Sequence, residues 1–498
     1  MSAESEAAVP GPTTQRLGHR ALSLGAANAF DYAVQFLLPV VLVRFLDAND
    51  FGHYRLPWLT AGTVMALVTL AVPGSLYYYL PRSNEADKRL YINQTLLFLV
   101  VAGIVAAWAV SAWNPWLPAV LHGLTRPEFV VPAFVLLWVI ASLLDLLPTV
   151  EERVAWQAKV TISLATVRTV ALSLAALLTG DLAPVLLTLL AFVVFKLALL
   201  LRYVERHHGL RGPIARRDAL ADQFKMSAPF YAGSLLYGLR AQADQWVAAA
   251  LFSLSMFASF SIAAVLGPLV NLFRQSVNHA FLPTMSRLQA AGSVRGMLEL
   301  NSRANVMVGT LVYPTLAFAF VFAEEIVTIV YTDTYVDAAP VMRVYIVGLA
   351  ALVVELATIS LLLRQGALMM WVNLGTLIVA VAINWTMAQH IGLAGAAIGT
   401  VVAIYVDRAV TVWRIAAHAG VRVREMQGWR TLGVLILFSA LSAAVAWAVV
   451  GRFLPAYGPL TRVVVGGMVL VSMFAMLCML AGMDRVVFRA LQDPGHGL

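Results

Sequence analysis

The sequence predicts an all-α membrane protein of about fourteen transmembrane helices, in two pseudo-symmetric six-helix bundles followed by two further helices. Three observations support this prediction: the apolar composition, the succession of long apolar segments, and the alternation of basic loops between them. Of the 498 residues, 61% are hydrophobic and 12% are charged, whereas soluble globular domains contain about 25% charged residues. A chain of this composition needs lipid around most of its surface.

Fourteen apolar segments are long enough to cross a membrane, since one transmembrane helix needs about 20 such residues. Short polar breaks separate them, and the first segment is the least apolar because it carries Asp31 and Arg44. The predicted spans are 21–46, 56–80, 90–113, 129–149, 160–179, 183–201, 226–251, 256–282, 304–323, 339–363, 367–388, 393–413, 431–450 and 463–483.

The basic residues of the loops alternate in density along the chain, and this alternation predicts an orientation. Loops on the side of the N-terminus hold 23 Lys and Arg residues, whereas the opposite loops hold only Arg55, Arg126, Arg452 and Arg462. Cytoplasmic loops are enriched in Lys and Arg, so both termini are predicted to be cytoplasmic. The same distribution accounts for the net charge of +8 without a nucleic-acid-binding surface.

The longest basic loop, 202–225, follows the sixth span and divides the chain. The segment FGHY at 51–54 aligns with FASF at 257–260, and a repeat of this kind is typical of transporters whose site lies between the repeats. The predicted organisation is a cytoplasmic tail (1–20), an N-terminal six-helix lobe (21–201), a basic cytoplasmic linker (202–225), a C-terminal six-helix lobe (226–413), a cytoplasmic loop (414–430), two additional helices (431–483) and a cytoplasmic tail (484–498).

The stretch AFDYAVQFLLPVVLVRFLDANDFGHYRL at 29–56 resembles the opening of the polysaccharide repeat-unit flippases. These belong to one exporter superfamily with the lipid II flippases and the multidrug/toxin extruders. In the second half, Asp244 with Gln245, the turn FSLSMFASF and the segment GLAGAAIGTVVA at 392–403 resemble the same family. The resemblance implies fourteen spans, two six-helix lobes and a cytoplasmic N-terminus. The residues that match the opening pattern are Arg44, Leu46, Asp50, Phe51, Gly52 and Tyr54.

For function, the resemblance implies a transporter rather than an enzyme. It would flip an anionic undecaprenyl-pyrophosphate-linked oligosaccharide repeat unit from the cytoplasmic to the outer leaflet by alternating access. The product would be exopolysaccharide, capsule or O-antigen, and the location the bacterial inner (plasma) membrane. The implied partners are the lipid-linked oligosaccharide, membrane lipids, a polysaccharide polymerase and export machinery.

No cofactor is expected, but the lipid II members of the superfamily imply coupling to Na⁺ or H⁺. Their ion site lies among helices seven, eleven and twelve. The oxygen ligands available at those helices here are Asp244, Asn373, Asn384 and Thr400. Asn384 falls near the outer end of its helix, which departs from a site at mid-membrane.

Charged residues inside the predicted spans are candidates for the transport site, because a charge at the bilayer centre costs at least about 2.5 kcal/mol. We expect Arg240 to pair with Asp244 one turn along the same helix, and Lys196 to extend towards the membrane surface. Arg44 and Arg343 lie near outer helix ends and are expected to do the same. The set comprises Arg44, Arg168, Lys196, Arg240, Arg274, Arg343, Arg408, Asp31, Asp145, Asp244, Glu355 and Asp407.

Arg274 is the strongest candidate, because no acid lies in its helix. A polar stripe of Asn271, Gln275, Asn278 and His279 accompanies it at helical spacing. An unpaired Arg leading such a stripe predicts a water-filled cavity that attracts an anion, and Arg binds phosphate through forked hydrogen bonds. On this interpretation the Arg274→Ala variant would insert normally and lose export.

Further cavity candidates lie on the first and fifth helices, and aromatic residues of the first half are candidates for sugar contacts. Asp31 is expected to pair with Arg168 or Arg274, or to bind a proton. The polar candidates are Arg168, Asn28, Asp31 and Gln35, and the aromatic ones are Tyr77, Tyr78, Tyr79, Trp138 and Trp156.

Three other functions compete with this interpretation, of which a structural or scaffold membrane protein is disfavoured by the charges within the spans. A multidrug or cation extruder of the same fold is the alternative, with Asp31 as its acid, but the cationic eighth helix opposes a cationic substrate. A membrane polymerase or glycosyltransferase is disfavoured, because no predicted loop is longer than 202–225 and none holds a cluster of metal-ligating residues.

Overall fold

The computed structural model describes residues 14–116, 129–209, 212–264, 266–363 and 365–483, and every regular element in these ranges is helical. The helices longer than three residues, excluding 3-10 turns, are α1 (Thr14–Leu42), α2 (Ala48–Val68), α3 (Leu76–Tyr79), α4 (Glu85–Ala109), α5 (Val130–Ala141), α6 (Leu147–Val150), α7 (Val154–Thr179), α8 (Leu182–His208), α9 (Arg217–Arg240), α10 (Ala243–Leu251), α11 (Leu254–Ala263), α12 (Leu266–Ala290), α13 (Val294–Val321), α14 (Ala323–Tyr331), α15 (Ala338–Leu352), α16 (Ala357–Leu362), α17 (Gly366–Ile391), α18 (Gly395–Ala419), α19 (Trp429–Phe453) and α20 (Pro459–Leu480).

Within the described ranges, eleven segments are long and apolar enough to cross a membrane. A twelfth is α2 taken together with the segment Pro73–Arg82, which is bent from it by 59°. The all-α multi-pass membrane fold is therefore confirmed. The two other predicted spans, 226–251 and 339–363, coincide with the interrupted pairs α9–α10 and α15–α16, so the count of fourteen stays a prediction that includes two broken helices.

The second span begins earlier than predicted, and this matters for the site. The side chain of Asp47 accepts a hydrogen bond from the backbone N–H of Asp50 and caps α2, as short polar side chains do at helix N-termini. The polar segment that follows is thus helical rather than an outer loop. Arg55 lies two turns inside α2, and its predicted loop position is wrong. At the N-terminus, α1 likewise begins at Thr14, within the predicted tail.

The internal repeat is visible in the local structure. Ser253 caps α11 by accepting from the N–H of Met256, as Asp47 caps α2. Phe51 and Phe257 each follow their cap by four residues, and both are completely buried. The helices α2 and α11 pack against each other, so the aligned segments of the two lobes meet as pseudo-symmetric partners.

The two lobes contact each other at the end that the charge pattern predicts to be outside, called the outer end below. The Arg44 guanidinium donates to the backbone oxygens of Val330, at 2.8 Å, and Ile329, at 3.0 Å. Phe51 packs edge-on against Tyr335, with ring centroids 6.0 Å apart. These contacts join the first lobe to α14 and the turn after it, so this structure is closed at the outer end.

Gly52 sits where α2 crosses α11, and a side chain there would disturb the outer contact. A Cβ at this position would lie 2.2 Å from the carbonyl oxygen of Leu254, a backbone atom that cannot turn away. We expect Gly52→Ala to lower the melting temperature of the purified protein and to reduce transport. Gly375→Ala is the control, since nothing lies within 4 Å of its Cβ and Ala is favoured over Gly in a helix by about 1 kcal/mol. Equal melting temperatures for the two variants would show that the crossing is not tight.

The start of α9 is held by the first lobe through a buried polar network. Gln223 is completely buried. Its amide donates to Ser75 Oγ at 2.9 Å and to Thr95 Oγ1 at 3.3 Å, and it accepts from Gln94. The continuation, α10, packs against α11, α17 and α18. The broken helix α9–α10 therefore belongs to both lobes, and within the predicted linker α8 runs on to His208 while α9 begins at Arg217.

Candidate functional site

Two cavities adjoin the first helix. The first-lobe cavity has a volume of about 590 Å³ and lies among α1, α2, α3, α5, α6, α7 and α8. The interlobe cavity has a volume of about 750 Å³ and lies between α1 and helices of the second lobe. Gln35, Pro39 and Arg55 line both. The two cavities are thus neighbouring parts of one region, in the size range of small-molecule sites.

The predicted candidates of the first lobe come together in the first-lobe cavity. Asn28, Asp31, Gln35 and Arg168 all line it. Arg168 Nη2 lies 3.2 Å from Asp31 Oδ1, and the Gln35 amide donates to Asp31 Oδ2 at 2.7 Å. Of the alternatives predicted for Asp31, pairing with Arg168 is the one observed, and the pair neutralises two charges that would be costly to bury singly.

Lys196 was predicted to extend towards the membrane surface, but the structure places it inside the first lobe. Its ammonium lies 2.7 Å from Asp145 Oδ2 and 4.5 Å from the ring centroid of Trp138. Asp145 sits in a 3-10 turn that interrupts the fourth span after α5. This break brings a carboxylate to the middle of α8, which is why Lys196 remains inside the lobe, 4% exposed.

Arg274 is paired, contrary to the expectation from its own helix. Its Nη1 lies 2.6 Å from Glu355 Oε2, and its Nη2 donates to Asn271 Oδ1 at 2.9 Å. Glu355 lies in the break between α15 and α16, and its backbone groups bond to Asn301 and Asn305 of α13. Buried backbone groups of a broken helix need hydrogen-bond partners, and the two asparagines of α13 provide them here. The break is therefore stabilised by the second lobe, and it places the Glu355 carboxylate beside Arg274.

The polar stripe around Arg274 does not converge on one cavity. Asn271 lines the interlobe cavity, whereas Asn278 donates to Thr358 of α16. Gln275 is exposed and lines neither of the two cavities. The side chain of His279 lies outside the described residues. The stripe therefore divides between the cavity wall and contacts within the second lobe.

Arg240 and Asp244 do not pair with each other, because the helix breaks between α9 and α10. Arg240 Nη1 lies 3.7 Å from Asp407 Oδ2 and donates to Thr376 Oγ1 at 3.1 Å. Asp244 instead accepts a hydrogen bond of 2.8 Å from the Tyr345 hydroxyl. The neighbour of Asp407, Arg408, lines an apolar groove of about 560 Å³ between the second lobe and α19.

Arg44 and Arg343 both lie at the end of the lobes that the charge pattern predicts to be outside. Arg343 pairs with the exposed Glu324 at 3.0 Å, and Arg44 makes the interlobe contacts to α14 described above. Neither residue lines the two cavities. Both therefore act at the outer end rather than in the candidate site.

Three of the four predicted ion ligands lie near one another. Asp244 and Thr400 both line the interlobe cavity. Asn384 donates from its amide to Thr400 Oγ1 at 3.1 Å, and its Oδ1 accepts from the backbone N–H of Thr400. Asn373 lines neither of the two cavities. Within the described residues no group of three or more His, Cys, Asp or Glu side chains forms a metal-binding cluster.

Arg55 is the residue that the sequence reasoning missed. It faces both cavities, and no carboxylate of the described residues lies within 4 Å of its guanidinium. The Asp31–Arg168 and Lys196–Asp145 pairs are each neutral, so the net positive charge of the first-lobe cavity resides on Arg55. The capping residue Asp47 was the signal that could have placed Arg55 inside a helix.

The comparisons agree with this architecture. A family model described as "Polysaccharide biosynthesis protein" matches residues 41–340, while the chain matches no curated protein sequence. Among solved structures, the lipid II flippase MurJ in an inward closed conformation is similar, with a TM-score of 0.69 at 12% identity over 92% of this chain and 98% of that one.

Two other exporter structures share the fold at lower similarity. One is an inward-facing multidrug resistance MATE family transporter of the MOP superfamily, with a TM-score of 0.58 at 11% identity over 78% of this chain and 94% of that one. The other is a MOP superfamily transporter from Pyrococcus furiosus, with a TM-score of 0.52 at 12% identity over 80% and 95% of the two chains. The family match covers more than half of the sequence, and the fold is that of these membrane transporters; the chain belongs to the polysaccharide biosynthesis protein family.

Proposed function

We propose that the chain flips an undecaprenyl-pyrophosphate-linked oligosaccharide repeat unit from the cytoplasmic to the outer leaflet of the bacterial inner membrane. The repeat unit would serve exopolysaccharide, capsule or O-antigen synthesis. The observation that carries the proposal is the unpaired guanidinium of Arg55 where the two cavities meet. The chain does no covalent chemistry on this proposal, and a polymerase and export machinery take the product.

A pyrophosphate suits Arg55 for electrostatic and geometric reasons. A guanidinium stays charged and presents a planar fork of donors that matches phosphate oxygens. The acids that face the first-lobe cavity, Asp31 and Asp145, are already occupied by Arg168 and Lys196, so they repel an anion less than free carboxylates would. A cationic drug would meet an unpaired cation at the same place, which favours the flippase over the extruder.

The outer-end contacts suit one state of an alternating-access cycle. With both termini in the cytoplasm, the closed outer end leaves the opposite, inner part of the cavities as the entry for the headgroup. Asn28, at the middle of α1, lines the first-lobe cavity and is exposed. The isoprenoid tail stays in the lipid while the two lobes move relative to each other.

A flipping assay tests the proposal directly. Purified protein in proteoliposomes is loaded with lipid-linked oligosaccharide extracted from the producing bacterium, and a periodate-type reagent oxidises only sugars in the outer leaflet. We expect protein-dependent oxidation of the inner-leaflet pool, beyond the half accessible at the start. Liposomes with a heat-unfolded sample are the control. Efflux of a cationic dye without movement of the oligosaccharide would instead establish the extruder.

We further propose that Na⁺ or H⁺ binds at Asp244 and drives the cycle. Asp244 faces the interlobe cavity without a cationic partner among the described residues, next to Thr400. We expect Na⁺ to raise the melting temperature of the wild type, since a ligand that binds only the folded state stabilises it, and Asp244→Asn to remove that rise. Asn373→Ala is the matched control and should keep it. A Na⁺ effect that survives Asp244→Asn contradicts the Na⁺ site, and an unchanged pH dependence of flipping in that variant contradicts the proton site.

A further inference from the structure

A row of alternating charged and aromatic side chains lines the first-lobe cavity. Arg168 lies 5.8 Å from the ring centroid of Trp58, and the rings of Trp58 and Trp138 meet edge to face at 5.1 Å. The Lys196 ammonium lies 4.5 Å from the ring centroid of Trp138. Asp31 and Asp145 close the two ends through their ion pairs. The row therefore runs from α1 across the lobe to α8 and carries no net charge.

We propose that this cavity is the saccharide subsite, separate from the anion-binding position at Arg55. The inference rests on the proposed function and divides the headgroup between the two regions. The sugar residues lie in the first-lobe cavity against Trp58, Trp138 and Asp145. The pyrophosphate lies at Arg55, on the edge that the first-lobe cavity shares with the interlobe cavity.

The chemistry of the wall matches uncharged sugar hydroxyls better than an anion. Each carboxylate has two oxygens and several acceptor positions, and Lys196 engages only Oδ2 of Asp145 among the described residues. The side chain of Asp145 is 56% exposed, so its other oxygen can accept from a hydroxyl. Deeper in the wall, Gln157 is 3% exposed and its Oε1 has no partner among the described residues.

The aromatic residues of the first-lobe cavity provide surfaces for the apolar side of a sugar ring, which hydrogen-bonding groups do not. The faces of aromatic rings carry negative charge density, and they attract the C–H groups that line one side of a pyranose ring. Tyr77 also lines this cavity and is half exposed. Apolar rings beside a few fixed polar groups are the usual composition of a small-molecule site. By contrast, the wall of the interlobe cavity is mostly apolar, and neither Trp58 nor Trp138 reaches it.

Cysteine protection with two probes tests the division. The single native cysteine is replaced by Cys478→Ala, and one cysteine is then introduced per variant. Thr149→Cys reports on the first-lobe cavity and Ala33→Cys on the interlobe cavity. The probes are undecaprenyl pyrophosphate without sugar and the lipid-linked oligosaccharide extracted from the producing bacterium. The readout is the rate of alkylation by N-ethylmaleimide.

We expect both probes to slow alkylation at Ala33→Cys at least fivefold, and only the oligosaccharide to do so at Thr149→Cys. Two outcomes would overturn the saccharide subsite. In the first, the sugar-free carrier also protects Thr149→Cys. In the second, neither probe protects Thr149→Cys although Ala33→Cys is protected. If neither probe protects either cysteine, the proposed function itself fails. The two failures are therefore distinguishable.

A double variant tests the wall residues by a second route. Removing both members of an ion pair avoids an uncompensated buried charge, so Asp145→Asn with Lys196→Met should fold as judged by its elution from a sizing column. We expect the oligosaccharide concentration for half-protection of Thr149→Cys to rise at least tenfold. The concentration of undecaprenyl pyrophosphate that half-protects Ala33→Cys should change less than twofold. An unchanged oligosaccharide concentration for half-protection of Thr149→Cys contradicts the subsite. If the double variant does not fold, the protection of the two single-cysteine variants by the two probes still tests the subsite.

Discussion

The Arg55→Ala variant should lose at least about 99% of its flipping activity while it folds and inserts normally. Two charge-assisted hydrogen bonds to a pyrophosphate contribute about 1.5 kcal/mol each, and a loss of about 3 kcal/mol corresponds to roughly a hundredfold. Folding should not suffer, because Arg55 has no ion pair among the described residues. The measurement is the initial rate of oligosaccharide flipping in proteoliposomes at matched protein content.

Two further variants make the Arg55 result specific. Arg55→Lys keeps the charge but loses the planar fork, so we expect an intermediate rate, between the wild type and Arg55→Ala. Arg452→Ala removes an exposed arginine at the outer end of α19 and should leave the rate unchanged. A wild-type rate in Arg55→Ala would refute the assignment of the pyrophosphate to this residue.

Separating Arg274 from Glu355 should have the largest effect on stability. Removing one partner of a buried ion pair costs about 3–5 kcal/mol, because the other charge stays buried without compensation. The side chains of Arg274 and Glu355 are only 14% and 8% exposed. We therefore expect Arg274→Ala to lose most of its folded yield and to lower the melting temperature of what remains, measured by thermal unfolding in detergent.

The matching double variant separates a structural role from a transport role. Arg274→Met with Glu355→Gln removes both charges, and the Gln amide oxygen can still accept from the backbone N–H of Ala357 as Glu355 does. We expect this variant to recover most of the folded yield. Wild-type stability in Arg274→Ala alone would contradict the pairing. The expectation from the sequence, normal insertion with lost export, is thereby replaced by an effect on folding.

The fold was predictable because helices that cross a lipid bilayer require long apolar segments, which are visible in the sequence. Apolar length and the distribution of arginines follow from local composition, and the resemblance at 29–56 gave the family. The positions of the helix breaks were harder to predict from the sequence. The interruption after Arg240 carries no proline, whereas the one after Ala141 is followed by Pro148 in the first turn of α6. Both breaks are also stabilised by contacts with other helices.

The site was only partly predictable, because ion-pair partners come from distant parts of the chain. For Asp31 the sequence left Arg168, Arg274 and a proton as alternatives, and only the structure selects Arg168. Glu355 was recognised as a charge within a span, but nothing in the sequence directed it to Arg274 across 81 positions. Arg55 was not predicted as a site residue, because the polar segment before it resembles a loop. In the structure this segment is the start of α2, capped by Asp47.

The shared helix α9–α10 limits where the chain can be divided into two co-expressed fragments. Gln223 is completely buried against Ser75, Gln94 and Thr95, so a cut after it would leave part of the second fragment's first helix attached to the first fragment. A cut between His208 and Arg217 keeps α8 and α9 whole. Even then the second fragment exposes an amide that needs the first fragment as its partner. The two halves of the repeat, although similar in form, have become obligate complements of one another.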